Sequence, residues 1–243
     1  MPSTIAVISF PGTNCEIESL RAIRRAGMEA VNLRWNAAPR SDALASTIGG
    51  YFLPGGFSYE DRGRSGMIAA HDPLLDFLRE ESQRGKVIIG HCNGAQILVE
   101  SGLIPLDKGL RMALAKNKIS NAECRISNFL NKWVWIIPTC SKNRCAVSEW
   151  RGTMHVPIAH GEGRFTTRDK DLIKELEEND QIAFRYCDEN GAISEESNPN
   201  GSIESIAGIC NPMGNVIALM PHPERTINGD PYFCSLNTWL TRK

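Results

Sequence analysis

The chain has 243 residues, 42% hydrophobic and 23% charged, with 27 Lys and Arg against 28 Asp and Glu and a formal net charge of −1. That size allows one large α/β domain with a well-buried core, or two small ones, and the balanced charge without a basic tract argues against nucleic acid as a partner. No apolar run approaches the roughly 20 residues of a membrane span, and Ile5-Ala6-Val7-Ile8 is too short and lacks the basic leader of a signal peptide, so a cytoplasmic protein without membrane contact is expected.

Thr4 to Phe10 reads as a buried strand stopped by Pro11-Gly12. Asn14 to Ala26 carries apolar residues at 17, 20, 23 and 26, a helical spacing closed by Gly27. Ala30 to Leu33 and Gly50 to Leu53 are the next strands, the latter ending in Pro54-Gly55-Gly56. Residues 72–84 predict a helix with Leu74, Leu75, Phe77 and Leu78 inward, followed by the strand Lys86 to Gly90 and a helix over Ala95 to Ser101. Strand and helix alternate throughout, the pattern of a parallel sheet covered by helices.

The second half is less regular. Strands are expected at Trp133 to Ile137, His155 to Ala159, Ile182 to Tyr186, Ile203 to Ile209 and Val216 to Met220, with a charged helix over 169–178. Asn198-Pro199-Asn200-Gly201 and Asn211-Pro212-Met213-Gly214 are turn sequences. With no repeat or linker, residues 1–243 read as a single domain. The eight cysteines (15, 92, 124, 140, 145, 187, 210 and 234) form no C-x-x-C pair, so no metal site is expected, and most read as small buried hydrophobes.

Gly90-His91-Cys92-Asn93-Gly94 departs from that reading. It has the form of the G-x-S-x-G nucleophile elbow, with sulfur for oxygen, between an apolar strand and a helical pattern. A sharp strand-to-helix turn strains the backbone of its central residue, and flanking glycines remove side chains that would clash there. The helix start favours an anionic sulfur at Cys92, and the Asn93 amide is free to donate to a developing oxyanion.

A thiol nucleophile needs a base, and five histidines are available. His91 is adjacent, but along an extended strand its side chain points away from that of Cys92. His71 opens a surface-like helix, and His155 lies within a strand. His222, in Met220-Pro221-His222-Pro223-Glu224-Arg225, directly follows an apolar strand. Pro223 disfavours helical geometry at His222, and extended spacing would put His222 and Glu224 on one side. Glu224 would then orient the imidazole that faces Cys92, the base-plus-orienter logic of a triad.

Gly90-His91-Cys92-Asn93-Gly94-Ala95-Gln96 together with Pro221 to Arg225 resembles the class I (triad) glutamine amidotransferases. More narrowly, the chain is similar to the glutaminase subunits of phosphoribosylformylglycinamidine synthases. That likeness is carried by Phe10 to Cys15, Pro54 to Tyr59, Pro157 to Gly163, Gln181 to Phe184, Asn200 to Ser202 and Gly214 to Val216. The resemblance implies a flavodoxin-like three-layer α/β sandwich around a largely parallel sheet. It implies that Cys92 attacks the side-chain amide of glutamine, His222 manages the protons and Glu224 orients His222. It further implies an oxyanion site from Asn93 with Gly55 or Gly56, and glutamine contacts from Gln96 and the loop His160, Gly161 and Glu162.

Three residues depart from the family pattern: Glu60 where glycine is usual, which puts a positive-φ backbone there in doubt, His91 for a small aliphatic, and Ala95 for an aromatic. The chain has no G-x-x-x-x-G-K-[ST] loop and needs no cofactor of its own. By resemblance, ATP, Mg and formylglycinamide ribonucleotide belong to a large synthetase subunit, with a small third subunit beside it. Two other classes share these features: a Cys-His peptidase or γ-glutamyl hydrolase of the same fold, and a non-catalytic regulatory relative. The retention of Cys92, His222 and Glu224 disfavours the latter.

Overall fold

A computed structural model describes residues 3–37, 46–118 and 128–242; Cys124 lies outside the described residues. The chain runs β1 (Thr4–Ser9), α1 (Glu16–Arg25), β2 (Glu29–Arg34), β3 (Ile48–Leu53), α2 (Met67–Ala70), α3 (Leu74–Gln83), β4 (Val87–His91) and α4 (Asn93–Glu100). It continues through β5 (Ala113–Ala115), β6 (Leu130–Pro138), β7 (Met154–His160), β8 (Arg164–Thr166), α5 (Leu172–Glu178) and β9 (Phe184–Cys187). β10 (Ile206–Cys210), β11 (Val216–Leu219) and α6 (Asp230–Thr241) complete it.

Nine strands form one mixed sheet in the order β2-β1-β3-β4-β11-β10-β9-β6-β7, while β5 and β8 pair separately. The first five are parallel neighbours, and the remaining four are joined antiparallel. The parallel half thus has the doubly wound order 2-1-3-4-5, in which ligands bind beyond the carboxyl ends of the strands. β1, β3, β4 and β11 are buried nearly throughout, as strands covered on both faces must be, and their β-branched and aliphatic runs meet that demand.

Strand periodicity splits the core into two layers. Ala6, Ile8, Tyr51, Leu53, Ile88 and Ala218 point to the layer beneath α3 and α4, with Leu74, Leu78, Ile97 and Leu98. Ile5, Val7, Phe52, Ile89, Ile217 and Leu219 point to the layer under α1 and α6, with Ile23, Tyr232, Phe233 and Leu236. In α1 the acidic Glu16 and Glu18 open the helix and Arg24 and Arg25 close it, complementing its dipole.

Several elements differ from expectation. Residues Ile203–Ser205 form a 3-10 turn, with Glu204 and Ser205 at φ 49° and 53°, so the strand starts only at Ile206. α2 and α6 have no expected counterpart. Of the seven free cysteines among the described residues, Cys234 alone is exposed. Tyr59, Glu60 and Asp61 all have positive φ, 52°, 60° and 52°. Glu60 therefore keeps the left-handed backbone despite lacking the glycine: Tyr59 N–H donates to Pro11 O and Glu60 N–H to Phe57 O, pinning the turn from both sides.

Candidate active site

The elbow is built by steric demand. Cys92 sits at φ 48°, ψ −106° between β4 and α4, a costly conformation that the surroundings must impose. Its N–H donates to Leu219 O on β11 and its C=O accepts from Gln96 N. A β-carbon on Gly90 would lie 2.4 Å from Gly94 O, and one on Gly94 would lie 1.9 Å from Leu53 O. Both glycines are thus required by close backbone approach rather than by their own dihedrals. Cys92 is 4% exposed, and its Sγ stands 3.6 Å from Ala159 O on β7.

β11 runs beside β4 with Leu219 opposite His91, so the chain leaving β11 passes the elbow. His222 N–H is anchored to Pro157 O on β7 at 2.9 Å. The following residues turn into a 3-10 helix, Pro223–Arg225, with His222 at φ −112°, ψ 76°. This corrects the extended geometry expected there. Proline has the φ of a first helical residue and no N–H to lose, and Arg225 N–H closes the turn on His222 O. Glu224 reaches back within that turn, placing Oε1 2.5 Å from His222 Nδ1.

Glu224 and His222 are both buried. Burial alone would drive the His222 imidazole toward neutrality, but the Glu224 charge, then that of Cys92 and contacts with the thiols of Cys15 and Cys92, hold it well above the ordinary histidine range. Burial likewise opposes ionisation of Glu224, yet His222 and then His91 keep its carboxyl far below the usual range. With Nδ1 committed to Glu224, Nε2 is the free nitrogen of His222; it is buried and makes no hydrogen bond within the described residues. A group that can hand a proton from Nε2 to a leaving nitrogen, beside a buried thiol, is suited to acyl transfer.

At the end of β3, a β-carbon on Gly55 would strike His222 Cε1 at 2.6 Å. Gly56, at φ 153°, is pressed against Thr13 and Gly12. Asn93 starts α4, where main-chain N–H groups lack helical partners. Its side chain accepts from Ser58 N and donates to Gln96 Oε1. Gln96 Nε2 donates to Glu162 O at 2.5 Å, and Glu162 Oε2 accepts from Ser65 N. Asn93, Gln96 and Glu162 therefore form one wall.

His160 faces inward: a β-carbon on Gly163 would overlap its ring at 2.1 Å. Asn117 Nδ2 lies 3.2 Å from its Nδ1, and burial followed by the His222 charge lowers its pKa to about 3. Gly161 contributes its carbonyl to Asn117 N. His71 is exposed, and His155 stacks on Trp135 at 4.4 Å, so neither approaches Cys92.

Two contacts were absent from the sequence reading. Cys15, just before α1, lies close to His222, and burial raises its thiol pKa. His91, on the opposite face of β4, places Nδ1 2.6 Å from Glu224 Oε2. Its signal was the strand alternation itself, read together with the adjacency of β4 and β11. The donor atoms of Cys15, His222 and Glu224 lie within 4.8 Å of one another, among the described residues the one such group. Each Glu224 oxygen in that group already accepts from an imidazole.

Comparison with known proteins gives this geometry its family. Residues 2–232 match the CobB/CobQ-like glutamine amidotransferase domain. The chain belongs to that family. Among relatives of this amidotransferase, phosphoribosylformylglycinamidine synthase subunit PurQ of Methanothrix thermoacetophila is 48% identical over 91% of this chain and 86% of its own length. The protein of the same name from Pyrococcus horikoshii is 40% identical over 98% of both chains. A chain in the structure of PurLQS from Thermotoga maritima superposes with a TM-score of 0.77 at 31% identity, covering 99% of this chain and 100% of that one. The amidotransferase fold accounts for the mixed sheet with the elbow at its centre. Among the described residues no helix is long and apolar enough to cross a membrane.

Proposed function

We propose that this amidotransferase, as a single domain over residues 1–243, is the glutaminase subunit of a phosphoribosylformylglycinamidine synthase in the cytoplasm. The observation that carries the reading is the strained Cys92 elbow beside a buried His222 whose Nδ1 is held 2.5 Å from Glu224. His222 Nε2 takes the proton of the Cys92 thiol as the sulfur adds to the side-chain amide carbon of glutamine, and the oxyanion is met by backbone amides of Asn93 and of Gly55 or Gly56. His222 gives the Nε2 proton to the amide nitrogen, the C–N bond breaks, and ammonia leaves a glutamyl thioester on Cys92. Water then loses a proton to Nε2 as it adds to the thioester, and the C–S bond breaks to release glutamate. The wall of Asn93, Gln96 and Glu162, with His160 and Gly161 shaping the loop beneath it, holds the polar ends of the substrate.

The kinship with subunits named PurQ, and with a chain of PurLQS, supports a separate large synthetase as recipient of the ammonia. We assign ATP, Mg and the conversion of formylglycinamide ribonucleotide to formylglycinamidine ribonucleotide to that partner, with a small third subunit completing the assembly. The near-complete burial of Cys92 fits a chain that is slow alone and faster with its partner. In the reconstituted complex, Cys92→Ala should abolish glutamine-dependent synthesis and leave ammonia-dependent synthesis intact; ordinary glutamine use by that variant would overturn the assignment. Cleavage of γ-glutamyl peptides in preference to glutamine, without any partner, would mark a γ-glutamyl hydrolase instead.

A further inference from the structure

Glu224 is held by two histidines. His222 takes Oε1 at 2.5 Å, and His91 takes Oε2 at 2.6 Å from the neighbouring strand. A carboxylate tied through one oxygen keeps a broad terminal torsion, so the second contact decides whether its plane is set. His91 is itself unable to adjust. It is fully buried, with ring edges meeting Phe52 at 4.7 Å and 75°, Tyr232 at 5.1 Å and 66°, and Phe233 at 6.1 Å and 64°. A polar ring in so apolar a pocket costs free energy unless its polar atoms are used. Only Nδ1 is used; Nε2 is buried with no hydrogen-bond partner among the described residues.

That pattern identifies the protonation state. Facing a carboxylate oxygen, Nδ1 must carry the hydrogen, and Nε2 keeps a bare lone pair among aromatic edges. Burial outweighs the pull of Glu224 and lowers the His91 pKa, so the ring is neutral. Its contribution to Glu224 is a donated hydrogen bond rather than a second ion pair, and the positive charge is concentrated on His222.

We propose that His91 is a positioning residue for amide cleavage, fixing the Glu224 carboxylate so that Oε1 stays on His222 Nδ1 while Nε2 exchanges protons. The elbow strand would then supply the nucleophile on one face and the anchor of the base's orienter on the other. The inference rests on the reading of Cys92, His222 and Glu224 as the reacting set.

Asparagine and glutamine separate this role from simple packing, because the Asn amide nitrogen falls near the Nδ1 position of histidine and that of Gln near Nε2. In glutaminase assays of the full chain with its synthetase partner, His91→Leu and His91→Gln should each lower kcat by about tenfold or more, as loss of an outer hydrogen-bond partner does elsewhere. KM for glutamine should stay within about twofold, since uniform binding is untouched. His91→Asn should recover most of the rate. Thermal melts of the three variants identify any that fail to fold, and the Asn–Gln comparison carries the test if His91→Leu does. Equal rates for His91→Asn and His91→Gln, or an unchanged kcat in folded His91→Leu, would overturn the proposal while leaving the glutaminase reading intact. Cys92→Ser, assayed alongside, fails to lose activity only if that reading is itself wrong.

Discussion

The backbone of Gly55 lies against the imidazole of His222 so closely that a β-carbon there would stand 2.6 Å from Cε1 and 3.3 Å from Nδ1. Gly55 leaves β3 and His222 leaves β11, with β4 and its elbow between them. The end of β3 therefore acts as a stop that keeps the ring from moving off Cys92.

Gly55→Ala should push the imidazole aside while leaving the sheet intact. A displacement of about 1 Å in a reacting group costs on the order of a hundredfold in rate, so kcat for glutamine should fall by about that factor. A melting temperature near that of the wild type would assign the loss to geometry; an unchanged kcat would remove Gly55 from the site.

The parallel half of the fold was legible because its strands are buried on both faces and bounded by glycine and proline, as in Ile5-Ala6-Val7-Ile8 and Val87-Ile88-Ile89. The contact of His91 with Glu224 was not, since it joins residues 133 positions apart through the register of β11 against β4. Alternation correctly turned His91 away from Cys92, but says nothing of what waits on the other side. The 3-10 turn at Pro223–Arg225 was hidden for a related reason: Pro223 restricts His222 before it while itself being suited to open a helical turn. β5 and β8, three residues each, are too short for any period to register.

The turn at residues 59–61 carries strain that a substitution can relieve. Glu60 is exposed, and its pairing with Arg62 lies at the surface, where such a bond is worth at most about 1 kcal/mol. A left-handed conformation costs a non-glycine residue about 1–2 kcal/mol, and glycine returns about 0.5–1 kcal/mol of that through its larger unfolded-state entropy. These terms nearly cancel at their central values, so Glu60→Gly should leave the melting temperature within about 3 °C of the wild type for a chain of this size. A clear fall would mean that the side chain, not the backbone, holds the turn.

The Glu224–His222 pair has a definite pH signature. Glu224 is held below its ordinary value of 4.5, so its contribution to stability is complete above that value and is lost as the pH falls through the depressed folded pKa. His222 is held above 6.5, so its contribution is complete below 6.5 and is lost as the pH rises through the elevated folded pKa. The coupling is therefore fullest between 4.5 and 6.5 and declines on both sides. Glu224→Gln keeps the shape and removes the charge. Its melting temperature should lie furthest below that of the wild type inside that window, with the gap closing toward acid and toward alkali. A gap that is constant from acid to alkali would mean that Glu224 is held by hydrogen bonding alone and that His222 carries no charge in the folded protein.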